Sequence, residues 1–518
     1  MRGRRLHRRG DPRVSSARPT PRRGWFVQLL MRLHFFAGVF VGPFILIAAL
    51  SGALYALTPQ IEQLVYDREL HAPTADEVLP LAEQIEAADA YIADGADGAD
   101  GAAPAIVAVR PAPEPGDTTR VMYADSGLGE STTRAVFVDP ATAEVRGDLP
   151  VYGTSGSLPF RTWVSDLHRS LHLGDAGRLY SELAASWLGV VALAGAGLWA
   201  TRYLRARSAK RASQQRELLR PNLAATGFVR TRSLHASTGI WVLAGALFLS
   251  VTGITWSQYG GANFSELRAA VGWTTPSVST SLDGVGGPAA DEHDEHTGHA
   301  GHGHGHGHGA PTPSADVAAL SPRAYDSVLS VAREVNVNTG LVEIRPPAEP
   351  GTAWVVQEIQ RSFPTEVDAV AIDGATMQVV DRVDFAEFGP VAKLSRWGID
   401  LHMGSMFGLA NQLVLFAVAI GIAAMVVWGY AMWWQRRPKH DPSRRVGASP
   451  PRGALRRAPW WGVLLMLAGA AAVGVFLPLM GASLAAFLLV DLAVGVVGRR
   501  RRGRRRGRER SRTPHLQR

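Results

Sequence analysis

The sequence predicts a membrane α-helical bundle of six spans, in which a unit of helix, extracytoplasmic α+β domain and helix is written twice. Three observations predict it. Apolar residues fall in blocks at 33–57, 183–203, 236–256, 405–434 and 460–497, each long enough for the roughly 30 Å hydrocarbon layer of a bilayer. Lys and Arg collect in RGRRLHRR near the start, RYLRARSAKR at 202–211, WQRRPKHDPSRR at 434–445 and RRRRGRRRGRER in the tail. Finally, the chain repeats itself at a nearly constant offset.

Residues 1–24 read as a basic cytoplasmic tail, and 25–58 as a first span, too long for a cleaved signal-peptide core and therefore retained. An outer domain follows at 59–160, then a histidine motif with the second span at 161–203 and a cytoplasmic loop at 204–232. The third span is 233–257, the second outer domain 258–395 with a His-rich insertion at 291–309, and the second histidine motif with its span 396–434. A loop at 435–458 leads to the last block, 459–498, which PLMGAS at 478–483 divides into a hairpin of two helices; 499–518 is a basic tail.

Six spans put all four basic segments on the cytoplasmic side, as the positive-inside rule asks, whereas five would strand the tail outside. Topology thus accounts for the net charge of +9 without invoking nucleic acid. Within the outer domains, AIVAV, RAVFV, AWVVQEI and VDAVAI read as strands and EQIEAADAYI and RAYDSVLSVAREV as amphipathic helices, a small α+β unit twice over. The chain has no cysteine. That excludes disulfides, thiolate catalysis, cysteine-bound iron–sulfur clusters and covalently attached haem, so any haem must be of b type, held by histidine or methionine.

The repeats are specific. WVSDLH at 163–168 matches WGIDLH at 397–402, IVAVRPAPEPG at 106–116 matches LVEIRPPAEPG at 341–351, and VFVDPATAEV at 136–145 matches VAIDGATMQV at 370–379, with offsets of 234, 235 and 234 residues. LHFFAG at 33–38 pairs with LHASTG at 234–239 at an offset of 201, the insertion around 276–312 absorbing the difference.

RSLHASTG, DLHRSLHLG followed by GRLYSELAASWLGVVAL, and DLHMGSMFG carry a resemblance. Over about 25–435 the chain resembles the PepSY-associated transmembrane proteins, which include iron-regulated membrane proteins and di-haem ferrisiderophore reductases. The resemblance implies that both outer domains are PepSY-like, and that the protein reduces chelated Fe(III) outside the membrane.

Five histidines mark membrane boundaries. His34 and His235 begin the first and third spans, near the cytoplasmic face; His168, His172 and His402 precede the second and fourth, near the outer face. Repeat symmetry pairs His34 with His235 and His168 with His402, and two pairs of axial imidazoles would hold two b haems stacked across the membrane. His172, one helical turn from His168, is an alternative ligand, and Met403 a weaker substitute. Arg32 and Arg232 stand where haem propionates need cations, or else snorkel to the interface; Gly38 and Gly239 leave room for a porphyrin, or else for helix packing. Asp491, within the last span, is either a functional carboxylate or a partner for a neighbouring helix.

The insertion DEHDEHTGHAGHGHGHGHGAPTP carries His293, His296, His299, His302, His304, His306 and His308 beside four carboxylates. Imidazoles at this density bind Cu, Ni or Zn with little selectivity, although the tract also reads as a low-complexity expansion.

The expected function is a haem b-containing oxidoreductase of the cytoplasmic membrane passing electrons to a ferric siderophore or another ferric acceptor. Its donor is a quinol or a separate reductase, since no dinucleotide fingerprint and no flavin-sized loop is present. Two rival readings are a divalent-metal handling transporter or accessory protein, and a PepSY sensory or regulatory module without haem.

Overall fold

The structure, a computed structural model, describes residues 24–95, 104–129, 131–282, 321–437, 447 and 449–511. The apolar blocks of the sequence become helices. Gly174–Ser208, Gly408–Gln435 and Pro478–Val497 are long and apolar enough to cross a membrane, and five segments are if each of two bent pairs is one span; Trp460–Phe476 is a shorter apolar helix. The chain is a membrane protein by these helices.

The first and third expected spans are each broken. Trp25–Phe40 meets Gly42–Tyr55 at 63°, and Gly227–Trp241 meets Leu243–Thr255 at 62°. Pro43 explains the first break, because it has no N–H to donate to the carbonyl of Val39 one turn back. The Tyr430 hydroxyl donates to that carbonyl instead, 2.5 Å away. The last helix runs from Pro478 to Ser511, carrying the helical backbone through most of the expected basic tail. In the bundle, small residues such as Ala37, Ala49, Ala184, Ala246 and Ala423 are buried with Ile45, Trp187, Ile422 and Met480, so the helices approach closely.

The strands are β1 (Ile106–Arg110), β2 (Thr119–Tyr123), β3 (Thr132–Val138), β4 (Val145–Tyr152), β5 (Val342–Arg345), β6 (Trp354–Glu358), β7 (Ala369–Ile372) and β8 (Val379–Val383). Where the sequence suggests two domains, the strands form one eight-stranded sheet in the order β4-β3-β2-β1-β5-β6-β7-β8. The join is the antiparallel pair β1–β5, with Val109 opposite Ile344. Each strand would otherwise be an open edge with unpaired backbone groups, and joining them removes both edges.

Alternation along the strands sends Val109, Val121, Tyr123, Val136 and Ile344 to one face. There they meet Ile85, Ala88 and Ile92 of helix Leu81–Gly95 and Tyr325, Val328 and Ala332 of helix Arg323–Val335. Asp326 ties the two helices, accepting from the N–H groups of Leu81 and Ala82 at 2.8 and 3.0 Å at the start of the first. The opposite residues, Ala108, Met122, Ala135 and Phe137, pack with Leu158. Leu158 leads into helix Pro159–Ser170, which packs on both β4 and helix Gly42–Tyr55 and so joins sheet to bundle.

Candidate haem-binding histidine pairs

Helix Trp25–Phe40 carries His34 and helix Gly227–Trp241 carries His235, and their rings lie in a T-shaped arrangement with centroids 5.9 Å apart and planes at 75°. His34 Nδ1 lies 2.9 Å from the Val191 carbonyl and His235 Nδ1 3.0 Å from the Met425 carbonyl. A carbonyl can only accept, so Nδ1 carries the hydrogen in both rings and Nε2 keeps its lone pair for a ligand.

The second pair is held in the same sense by hydroxyls. His168 Nδ1 lies 2.9 Å from Ser51 Oγ, and His402 Nδ1 2.5 Å from Thr252 Oγ1. Ser51 donates to the Ile47 carbonyl at 2.8 Å and Thr252 to that of Phe248 at 2.8 Å. A hydroxyl that donates to its own helix accepts from the imidazole, so Nδ1 is again the protonated nitrogen. The indole of Trp256 lies edge-on to the His402 ring at 4.7 Å.

His168 and His402 line one cavity, with Met403, Arg169, Tyr152, Ser155 and Trp256 also in its wall. Its empty volume, counted with the open mouth and the solvent in it, is about 1460 Å³. Its remaining wall is mostly Ala, Leu and Ile of the bundle, apart from a few hydroxyls at the sheet end. Toward the sheet, Gly156 has φ +61 and stands where any Cβ would run into the guanidinium of Arg110, with Arg120 Nη1 at 3.4 Å. Burial, reinforced by the neighbouring Arg110 charge, lowers Arg120 to about 10.

Haem was the expected group, and the donor set fits it. Two imidazole nitrogens about 2 Å from one metal put their ring centroids roughly 6 Å apart. The first pair stands at 5.9 Å. Beside that pair, a Cβ on Gly38 would meet nothing within 4 Å, whereas one on Gly239 would meet Met425 Cε at 3.0 Å. Arg232 Nε is buried with no hydrogen-bond partner among the described residues, an arrangement suited to an anionic group.

Other expected residues take different places. Arg32 pairs with Asp491 at 3.0 Å and donates to the Pro450 carbonyl at 3.0 Å, so its charge is matched within the protein. Asp491 also receives Arg452 at 2.9 Å, which makes it a partner between helices. The His172 ring packs on Trp163 with centroids 5.0 Å apart and lies outside the cavity wall, so His168 rather than His172 shares the cavity with His402. Met403 Sδ takes a hydrogen bond from Arg361 at 3.4 Å. His293, His296, His299, His302, His304, His306 and His308 lie outside the described residues.

Sequence reasoning missed Ser51, Thr252 and Gly195. The signal for the first two was present, since Ser51-Gly52 and Thr252-Gly253 stand at the same offset of 201 residues as the histidines. Gly195 had no such signal; a Cβ there would come within 3.0 Å of His34 Cε1.

No curated protein matches the chain at a significant level. The family model for the PepSY-associated TM region matches residues 31–436, from just before His34 to just beyond helix Gly408–Gln435. With most of its length covered by that match, the chain belongs to the PepSY-associated transmembrane family.

Proposed function

We propose that the protein is a haem b-containing membrane oxidoreductase that delivers electrons to chelated Fe(III) outside the cytoplasmic membrane. The single observation that carries this reading is the close pairing of His34 and His235, ring centroids 5.9 Å apart, each with Nδ1 committed to a backbone carbonyl. His168 and His402, oriented by Ser51 and Thr252, would hold a second group at the cavity. Bound haem supplies a one-electron carrier whose potential its imidazole ligands and their hydrogen bonds help to set.

The chain's own residues would do the rest. The carbonyls and hydroxyls fix four rings in the tautomer that ligates, and the Ala- and Leu-rich wall excludes water. Arg232 would accept a propionate. On the sheet side Glu343 matches Arg110 and Asp166 matches Arg169, so Arg120, near Gly156, would supply the positive charge that suits an anionic ferric chelate such as a ferric siderophore. Fe(II) binds hard oxygen chelators less tightly than Fe(III), so its release would follow reduction. A quinol or a separate reductase would supply the electrons.

The topology belongs to the same proposal. Counting each bent pair as one span and Trp460–Phe476 as another gives six, with both termini and all the basic loops cytoplasmic and the sheet outside. A duplicated ancestral unit is supported by the sheet, whose order reads outward from β1–β5 as one four-strand set on each side. The His-rich tract would capture Cu, Ni or Zn.

The test is a reduced-minus-oxidised spectrum of the purified protein with pyridine haemochrome quantitation. About two b haems per chain, one lost in His235→Ala and one in His402→Ala, is the expected result. A haem-free protein from haem-replete cells would overturn the proposal and leave divalent-metal handling as the reading to pursue.

A further inference from the structure

Remote from the histidine pairs, the connection between β6 and β7 begins and ends on carboxylates. Glu358 closes β6, Asp368 immediately precedes β7, and Glu366 lies between. Each of the three offers a carboxylate oxygen, and these lie within 4.8 Å of one another. Two oxygens bound to one calcium ion at about 2.4 Å are at most roughly 4.8 Å apart, so the three can share an ion as they stand.

A second observation points to a missing ligand. Glu358 is fully buried, and its Oε1 accepts the N–H groups of Asn338 and Thr339 at 2.6 and 2.9 Å. Its Oε2 is buried as well and has no hydrogen-bond partner among the described residues. A buried carboxylate oxygen without donor or cation is costly, and more so on a residue with two further carboxylates beside it. Arg382, whose charge reaches Asp368, is itself paired with Asp384 at 2.5 Å.

We propose that Glu358, Glu366 and Asp368 form a calcium site that clasps the base of the 359–367 loop. The ligand class follows from the donors. Three carboxylates with no nitrogen or sulfur suit a hard cation, and Mg²⁺ keeps most of its waters and takes one or two carboxylates, whereas Ca²⁺ accepts several at flexible angles. The loop it would fix bears on the cavity. Phe363 donates its N–H to the Met406 carbonyl at 2.8 Å, and Arg361 donates to Met403, the residue after His402. Calcium would thus order the loop that braces the turn beyond His402.

The experiment uses the full chain in detergent, stripped with EDTA and titrated with Ca²⁺ alone by calorimetry and by ⁴⁵Ca equilibrium dialysis. One Ca²⁺ per chain is expected, with a Kd between about 1 μM and 1 mM, weakened at least roughly tenfold in Glu366→Gln and lost in Asp368→Asn. Glu366→Gln alters a partly exposed ligand rather than the fully buried Glu358, and added Ca²⁺ should raise the thermal midpoint of the parent protein at a lower concentration than that of this variant. Substituting the histidines of the tract should leave Ca²⁺ binding unchanged, since imidazole is a poor calcium ligand. No binding at 10 mM Ca²⁺, binding unchanged in both carboxylate variants, or a preference for Mg²⁺ over Ca²⁺ would overturn the proposal. None of these outcomes depends on haem content.

Discussion

Arg110 of β1 and Glu343 of β5 form an ion pair of 2.6 Å across the seam where the two halves of the sheet meet. Both are less than a tenth exposed, and Arg345, the repeat equivalent of Arg110, shares the same carboxylate at 3.3 Å. One carboxylate thus serves a pair of equivalent arginines, and its own repeat counterpart is Ala108. Glu343→Gln leaves the buried Arg110 uncompensated and should cost about 3–5 kcal/mol, read as a lowered thermal midpoint of the full-length protein.

The same pair sets an acid limit. Burial opposes ionisation of Glu343, but Arg110 and Arg345 outweigh it and hold the carboxyl below its ordinary value of 4.5. A folded pKa below the unfolded one contributes stability above the unfolded value, and that contribution is lost as pH falls below 4.5 toward the folded one. Denaturation midpoints should therefore drop over this interval, and Glu343→Gln should flatten that part of the profile.

Ser51 and Thr252 hold His168 and His402 by Nδ1, leaving Nε2 as the nitrogen that would ligate. Removing such a supporting bond commonly costs about 10–100-fold in metal affinity. Ser51→Ala and Thr252→Val should each speed haem loss by about that factor at one site only, measured by transfer to apomyoglobin, while the other haem stays put.

Gly38 and Gly195 separate protein packing from cofactor packing. Gly195→Ala brings a methyl within 3.0 Å of His34 Cε1 and should displace the ring, lowering haem content at that pair whatever the state of the fold. Gly38→Ala meets no atom within 4 Å. It should leave thermal unfolding of the haem-free protein unchanged yet reduce haem occupancy; equal occupancy in parent and variant would show that no ring lies over Gly38.

Arg32 and Asp491 should behave as a structural couple. Their side chains are 13% and 26% exposed, between the surface and buried regimes. A double-mutant cycle of Arg32→Gln and Asp491→Asn should give a coupling of about 1 kcal/mol. Both single variants should retain two haems per chain, in contrast to Arg232→Gln.

Much of this was legible in the chain. The blocks of apolar residues gave the helices, because a span's length is set by the bilayer and needs no partner. The offset of 201 residues placed His34 beside His235 in the repeat, and 234 placed His168 beside His402. The apolar run RAVFV marked a strand but not an inward face, because Ala135 to Val138 are all buried, Val136 and Val138 against the helices and Ala135 and Phe137 on the opposite side of the sheet.

What the linear order lacked was any measure of which equivalent elements touch. That β1 pairs with β5 to make one sheet, that His168 rather than His172 enters the cavity, and that Asp491 takes Arg32 all depend on segments tens to hundreds of residues apart. Pattern and charge are local properties that a sequence carries outright. Contact between distant segments is decided by close packing, where a missing Cβ at Gly195 makes room for the His34 ring and a hydroxyl at Thr252 holds that of His402, and only the folded chain holds that geometry.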